Sequence, residues 1–379
     1  MPDVLCFSHL RWDFVYQRPQ HLLSRFARET RVFFIEEPIF DCDAAHFDVS
    51  KREDDLHVVV PHIPPSANGD ANGFLKSLLE KLLDDYHITN YISWYYTPQM
   101  LPWSRNLHPR AVVYDCMDEL SAFKFAPHDL LENERQLLGI ADLLFTGGQS
   151  LYEAKKDRHR RVFAFPSSID REHFAQARTT TDEPDDQANI PRPRLGFCGV
   201  IDERFDIDLL AKMAELRPEW SFVMVGPVVK IADEDLPKRP NIHYLGGKTY
   251  AELPAYLSGW DVALMPFAMN ESTEFISPTK TPEYLAGGKP VVSTPVKDVV
   301  RHYGHLEGVK IAATPEEFVA ACDEALELAR NPESGWLAEA DLMLSAASWD
   351  TTQARMSGLI ADVLGIRAGA NPALRVAAE

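Results

Sequence analysis

The sequence predicts an α/β protein built from two doubly wound, Rossmann-like domains that face each other across a cleft. Three observations carry that reading. Short apolar runs alternate with amphipathic stretches over residues 4–165, the pattern of a parallel sheet with helices on both faces. A polar stretch at 177–194, ARTTTDEPDDQANIPRPR, interrupts the pattern. The alternation then restarts and runs to residue 364, and 379 residues is an ordinary length for two domains.

The elements follow in order. Residues 4–8 form the first strand, and Pro19 opens a helix to 26, because proline suits a first helical turn. Strands follow at 31–36 and 56–60. Residues 74–86 are a strongly amphipathic helix, with Leu75, Leu78, Leu79 and Leu82 on one face. Strands at 91–94, 111–116, 143–146 and 162–165 alternate with helices at 129–139 and 149–157. The second half repeats the plan, with strands at 194–199, 221–225, 242–245, 262–266 and 290–293. Its helices fall at 206–216, 250–257, 281–286, 315–330 and 351–364. The domains expected are therefore 1–176, a linker at 177–193, and 194–345. Residues 346–379 would hold a last helix able to cross back to the first domain, and a tail that frays after 368.

Composition excludes several classes. A net charge of −19 makes the chain a poor partner for DNA or RNA, although a nucleotide needs only a few local donors. The five cysteines (Cys6, Cys42, Cys116, Cys198 and Cys322) form no CxxC pair, so they read as reduced thiols and not as metal ligands. The N-terminus has no signal-peptide pattern, and no run approaches the ~18 apolar residues of a membrane span. The expected location is the cytoplasm. No GxGxxG follows any strand, which argues against a dinucleotide cofactor. The one dense basic run, KKDRHRR at 155–161, reads either as a solvated turn or as a contact with anionic lipid at the inner membrane face.

In doubly wound sheets ligands bind beyond the C-terminal strand ends. The segment 276–294, ISPTKTPEYLAGGKPVVST, describes such a place: a loop, a short helix, a glycine stop and a buried strand. Thr279 or Thr281 can cap the helix and Pro282 suits its first turn. Together with Lys280, the helix start can hold a diphosphate without a metal. Glu283, in the first turn, can accept hydrogen bonds from two vicinal hydroxyls such as those of a ribose. The plainer alternative is that Glu283 only favours the helix start and Lys280 is solvated. Gly199 and Gly226 end two successive strands, where a missing side chain lets a ligand approach the backbone.

In the first half, Ser8–Asp13 and Gln17–Leu22 flank the loop after the first strand. Trp12 can stack on a sugar, Arg18 can bind a phosphate, Asp13 lies between them and His9 is a candidate base. Asp118, and after it Asp115, follow a buried strand and can orient or deprotonate an acceptor hydroxyl. Tyr95 lies in an aromatic strand end that can line the acceptor pocket.

The run from Pro278 through Lys280, Glu283-Tyr284-Leu285-Ala286 and Lys289-Pro290-Val291-Val292 resembles the donor-site signature of GT-B glycosyltransferases of groups 1 and 4. The resemblance is nearest to the bacterial subgroup around teichuronic acid biosynthesis, which also shares the Trp12–Leu22 pattern. It implies a GT-B fold and a donor site of Ser277, Pro278, Thr279, Lys280 and Glu283. In that site Lys280 meets the diphosphate, Glu283 the ribose, and Tyr244 to Gly246 the border of the base. It implies a sugar moved, with retention, from a nucleoside diphosphate sugar to a hydroxyl acceptor in cell-surface polysaccharide or glycoconjugate synthesis, with no cofactor beyond the donor. The chain departs from the family twice. Many members carry a second acid eight positions before the ribose ligand, where Phe275 stands here, and only Arg204 stands where they have an Arg and a Lys. Two rival readings are a nucleotide-sugar epimerase of the same fold, and an inactive protein that binds nucleotide sugars or polysaccharide.

Overall fold

The computed structural model describes residues 1–67 and 70–365. The expected tail after 368 lies outside them. Two sheets organise the chain. The first contains β1 (Asp3–Phe7), β2 (Val32–Ile35), β3 (His46–Lys51), β4 (Leu56–His62), β5 (Tyr91–Tyr95), β6 (Val112–Cys116), β7 (Leu143–Thr146) and β8 (Val162–Ala164). Its order is β3-β4-β2-β1-β5-β6-β7-β8, parallel throughout except for β3 against β4. The second sheet contains β9 (Arg194–Cys198), β10 (Ser221–Val225), β11 (Ile242–Gly246), β12 (Val262–Met265), β13 (Val291–Ser293) and β14 (Val309–Ile311). Its order is β11-β10-β9-β12-β13-β14, all parallel.

The central strands read as continuous apolar runs, VFFI in β2 and VALM in β12, because helices cover both faces and no side is left to water. In each sheet the chain winds to one side and then returns to the other. The order reverses between β1 and β5 in the first sheet and between β9 and β12 in the second. Strand ends at such reversals splay the following loops apart and leave a crevice. The two crevices face each other.

Residues 177–193 are not the free linker their composition predicts. Ala177 and Ile190 are buried in the core of the second sheet beside Trp260 and Tyr284. The buried Gln187 amide oxygen accepts from Trp260 Nε1 at 2.9 Å, and Gln187 Nε2 donates to Tyr256 O at 2.9 Å. Ile169 and Phe174 join the same core, so the second domain begins well before residue 194. The polar residues of the segment are spent on ion pairs, Arg192 and Arg194 with Glu183.

The last helix, Trp349–Val363, packs on the first domain: Trp349, Met356 and Ile360 enter its core. The Trp349 and His21 rings stack at 4.7 Å, and Arg25 pairs with Asp350 at 3.0 Å. Within the basic run at 155–161, Lys156 and Arg160 are exposed, but two other cations are drawn into ion pairs. Lys155 is buried between Glu119 (2.8 Å) and Glu134 (2.7 Å), and Arg158 also pairs with Glu134. All five cysteines are free, and among the described residues no helix is long and apolar enough to cross a membrane.

Candidate functional site

The facing crevices form a narrow throat of about 160 Å³, with Asp118 on the first domain and Gly199, Arg204 and Ser277 to Lys280 on the second. It opens into a chamber of about 590 Å³ beside Trp12, Tyr16, Gly226, Gly247 and Tyr250. Volumes of a few hundred Å³ suit small-molecule ligands.

Glycine is required where two strand ends of the second domain meet. Gly226 has φ +147, and a Cβ there would lie 1.8 Å from the Gly199 carbonyl oxygen. A Cβ at Gly199 would touch Phe197 at 3.0 Å and stand 3.7 Å from Lys280 Cε. The missing side chains thus leave the stem of Lys280 room to lie along the end of β9.

Lys280 opens the helix Lys280–Ala286. Its Nζ is 2.9 Å from Glu283 Oε2, the i,i+3 spacing that places both on one face. Burial opposes the charge on Lys280, but the Glu283 carboxylate outweighs it and holds the ammonium above its ordinary pKa. The expected helix cap is absent. Thr279 has helical dihedrals and no capping bond, and the Thr281 hydroxyl turns to Met265 Sδ. The helix has only seven residues, so the full charge of Lys280 outweighs the dipole. Glu283 is buried behind Lys280 and does not itself line the throat.

Arg204 holds Asp202 through two edges, Nε at 3.0 Å and Nη2 at 2.7 Å, and lies 5.4 Å from the Phe123 ring. Asp118 faces it. Burial raises the Asp118 pKa, Arg204 opposes that rise and Asp202 adds to it. His9, at the end of β1, is held near pKa 4 by burial and then by Lys230, so it is neutral at physiological pH.

Four expectations need correction. Asp115 and Arg18 are not free for substrate, because they bind each other. Arg18 Nη2 donates to Asp115 Oδ1 at 2.8 Å, Nε to both oxygens at 3.1 Å, and Nη1 to Phe165 O at 2.8 Å. Tyr95 is a core residue, stacked on Phe7 at 4.8 Å with its hydroxyl bonded to Ser104. Its position at the strand end is correct, but its side chain enters the helix layer. Tyr244 turns away from the chamber, its hydroxyl donating to Pro237 O at 3.2 Å. Gly246, with φ +72, accepts the Gly226 N–H and makes the turn into Gly247–Tyr250, which do line the chamber. Trp12 and Asp13 also line that chamber and not the side beyond Arg204. Trp12 packs edge-on against Phe34 at 5.0 Å, and Asp13 pairs with Arg52.

Three features escaped the sequence reading. Tyr16 of the first domain stacks on Tyr250 of the second at 4.5 Å, and Tyr250 stacks on His173 at 4.1 Å. Gly147-Gly148, after β7, is where the domains touch: a Cβ on Gly148 would meet Asp298 Oδ2 at 2.5 Å and Ser277 Cβ at 2.7 Å. Asp298, from the second domain, accepts from Gln149 N (2.8 Å) and Ser150 N (3.0 Å), capping a helix of the first. The glycine pair after a strand was a readable signal; Asp298 had none. Among the described residues, no group of three or more His, Cys, Asp or Glu could hold a metal ion.

Residues 192–328 match the family model described as Glycosyl transferases group 1. The match falls on the second domain. Every donor-site residue expected from the sequence falls within the matched residues. TuaH of Bacillus subtilis (strain 168), named as a teichuronic acid biosynthesis glycosyltransferase, is 26% identical over 240 residues. That match covers 57% of this chain and 58% of TuaH. Solved structures align over nearly the full length. A sucrose-phosphate synthase from Thermosynechococcus elongatus has a TM-score of 0.74 at 13% identity, over 96% of this chain and 100% of its own. Anabaena Alr3699/HepE in complex with UDP and glucose has 0.64 at 15% identity, over 94% and 99%. A UDP-forming trehalose-phosphate synthase from Burkholderia xenovorans, in complex with glucose-6-phosphate, has 0.68 at 12% identity, over 95% and 100%. The fold is GT-B, as the sequence predicts.

Proposed function

We propose that this protein transfers a sugar from a nucleoside diphosphate sugar to a hydroxyl acceptor, in the synthesis of a cell-surface polysaccharide or glycoconjugate. The observation that carries the reading is Lys280 in the throat, laid against side-chain-free strand ends at Gly199 and Gly226 and opening into a chamber of nucleoside size. The nucleoside takes the chamber beside Gly226 and Tyr250. The diphosphate takes the throat, where Lys280 and Arg204 supply positive charge and no metal is needed. Lys280 then exchanges its Glu283 partner for phosphate, which frees the Glu283 carboxylate for the ribose hydroxyls.

In the reaction the bond from the sugar's anomeric carbon to the phosphate oxygen breaks and one to the acceptor oxygen forms. The acceptor proton leaves to Asp118 or to the departing phosphate. Retention of configuration follows if both events occur on one face of the sugar. Positive charge placed where the leaving group becomes more negative is the largest single aid to such a step.

Two results test this. Glu283→Ala should weaken UDP or GDP binding by roughly tenfold or more in calorimetry, the cost of about one charge-assisted hydrogen bond. An unchanged affinity would show that the ribose site lies elsewhere. Turnover should rise with pH as Asp118 loses its proton, with a midpoint above the ordinary carboxylate range because burial raises its pKa. Asp118→Asn should remove that limb and lower kcat by about 10²-fold. His9, already neutral above its pKa of about 4, should add no limb near neutrality. Conversion of a labelled nucleotide sugar to its epimer without acceptor would replace the transferase reading with the epimerase one.

A further inference from the structure

The end of β9, where Gly199 meets Lys280, is held differently on its two edges. On one edge β10 pairs along the whole strand, with Val225 opposite Cys198, and the Gly199 N–H donates to Val225 O at 2.9 Å. On the other edge β12 pairs only as far as Ala263 opposite Gly196. It then continues beside β13 alone, with Met265 opposite Ser293. The Gly199 N–H turns to β10, so the backbone groups of Cys198 turn the other way, toward the side that β12 has left.

One side chain fills both missing bonds. The Tyr284 hydroxyl accepts from Cys198 N at 2.8 Å and donates to Cys198 O at 3.2 Å. Burial holds the phenol well above its ordinary pKa, so the hydroxyl keeps the proton it donates. Trp260 braces the ring edge-on at 5.9 Å. It fits there only because Gly196 has no side chain: a Cβ would lie 2.0 Å from Trp260 Cδ2. A phenylalanine would fill the same space as Tyr284, and what the hydroxyl adds is the pair of bonds.

Tyr284 and Lys280 are four residues apart in one helix, so they share a face one turn apart. The tie to Cys198 therefore sets the distance between the Lys280 stem and the Gly199 backbone, where a Cβ would stand 3.7 Å from Lys280 Cε. We infer that Tyr284 is a positioning residue for the donor: its hydroxyl stands in for the strand that leaves β9 and aims Lys280 at the diphosphate. Tyr284 lines neither the throat nor the chamber, so it acts through Lys280. The inference rests on the transferase reading, since it is the diphosphate that gives the aim of Lys280 a consequence.

The test is a double-mutant cycle on the full chain, with UDP and GDP as probes and calorimetry as the readout. In the wild-type background Tyr284→Phe should weaken the better-bound nucleotide by about tenfold, the effect of misaiming one charge-assisted bond. In the Lys280→Ala background the same change should cost less than about twofold, because the group it aims is gone. A hydroxyl that serves only the fold would lower the unfolding midpoint and cost both backgrounds alike. Equal losses in the two backgrounds, or a Tyr284→Phe affinity within about twofold of wild type, overturn the inference. Backbone hydrogen exchange reads the bond in the wild type without any variant. The Cys198 amide should exchange at least about 10²-fold more slowly than an open-chain amide, and exchange at the open-chain rate overturns the inference as well. If neither UDP nor GDP binds the wild type while the Cys198 amide stays protected, it is the transferase reading that fails, and the positioning role with it.

Discussion

Lys280→Ala should lower kcat/KM for the nucleotide sugar by about 10²–10³-fold, the usual effect of deleting one donor aimed at developing charge. The throat leaves little to replace it. The other cations that line the throat, Arg18 and Arg204, are already held on Asp115 and Asp202. The helix behind Lys280 is two turns long and has no side-chain cap. Part of any loss could come from stability, because the variant leaves the Glu283 carboxylate buried without its ammonium. A second variant separates the two effects. Lys280→Met with Glu283→Gln removes the stranded charge and should restore the unfolding midpoint without restoring turnover. Lys280→Arg should rescue poorly, since a planar guanidinium does not fit a stem laid against Gly199 as a point ammonium does. Steady-state kinetics within threefold of wild type for Lys280→Ala would move the diphosphate out of the throat.

How far the sequence could be read follows from which forces are local. Strand ends marked by glycine were legible, because Gly226 and Gly246 adopt positive φ and, at Gly226, the Gly199 carbonyl approaches closely. The loop and helix at 277–286 were legible because charge, helix start and glycine stop all fall within one stretch of chain. Pairings across long separations were not. Arg18 and Asp115 lie 97 residues apart, and each looked like a free charge at a strand end. Alternation along a strand places a side chain on one face or the other but does not say which face meets the cleft, and that is why Tyr95 was misplaced into the acceptor pocket. The segment 177–193 failed for a related reason. Its composition is that of a linker, but Gln187 finds buried partners in Trp260 and Tyr256, and a buried amide with its bonds made is as much core as a leucine. β3 was missed because it is an edge strand with exposed and half-buried positions and no apolar run.

The family's second acid is absent at Phe275, which instead packs against the core of the first domain, with Lys297 5.6 Å from its ring. That position works here as an interdomain contact.

The largest expected loss of stability is at Arg18. Arg18→Ala should destabilise the fold by about 3–5 kcal/mol, because it leaves the fully buried Asp115 charge without its cation. At roughly 2–4 °C per kcal/mol for a domain of this size, the unfolding midpoint should fall by about 10 °C. The guanidinium also donates to Phe165 O, so it ties the helix Arg18–Ala27, the end of β6 and the exit of β8 to one another. Arg18→Met with Asp115→Leu should recover most of the midpoint, since replacing both charges by apolar groups of similar volume is often neutral. A single Arg18→Ala within about 1 kcal/mol of wild type in denaturant unfolding would mean that water reaches Asp115 and the pair is not buried as described. The double variant carries a second, functional reading. Asp118 follows Asp115 by three residues, just past the end of β6, so a protein with recovered stability but reduced turnover would show that the ion pair aims the throat carboxylate as well as holding the fold.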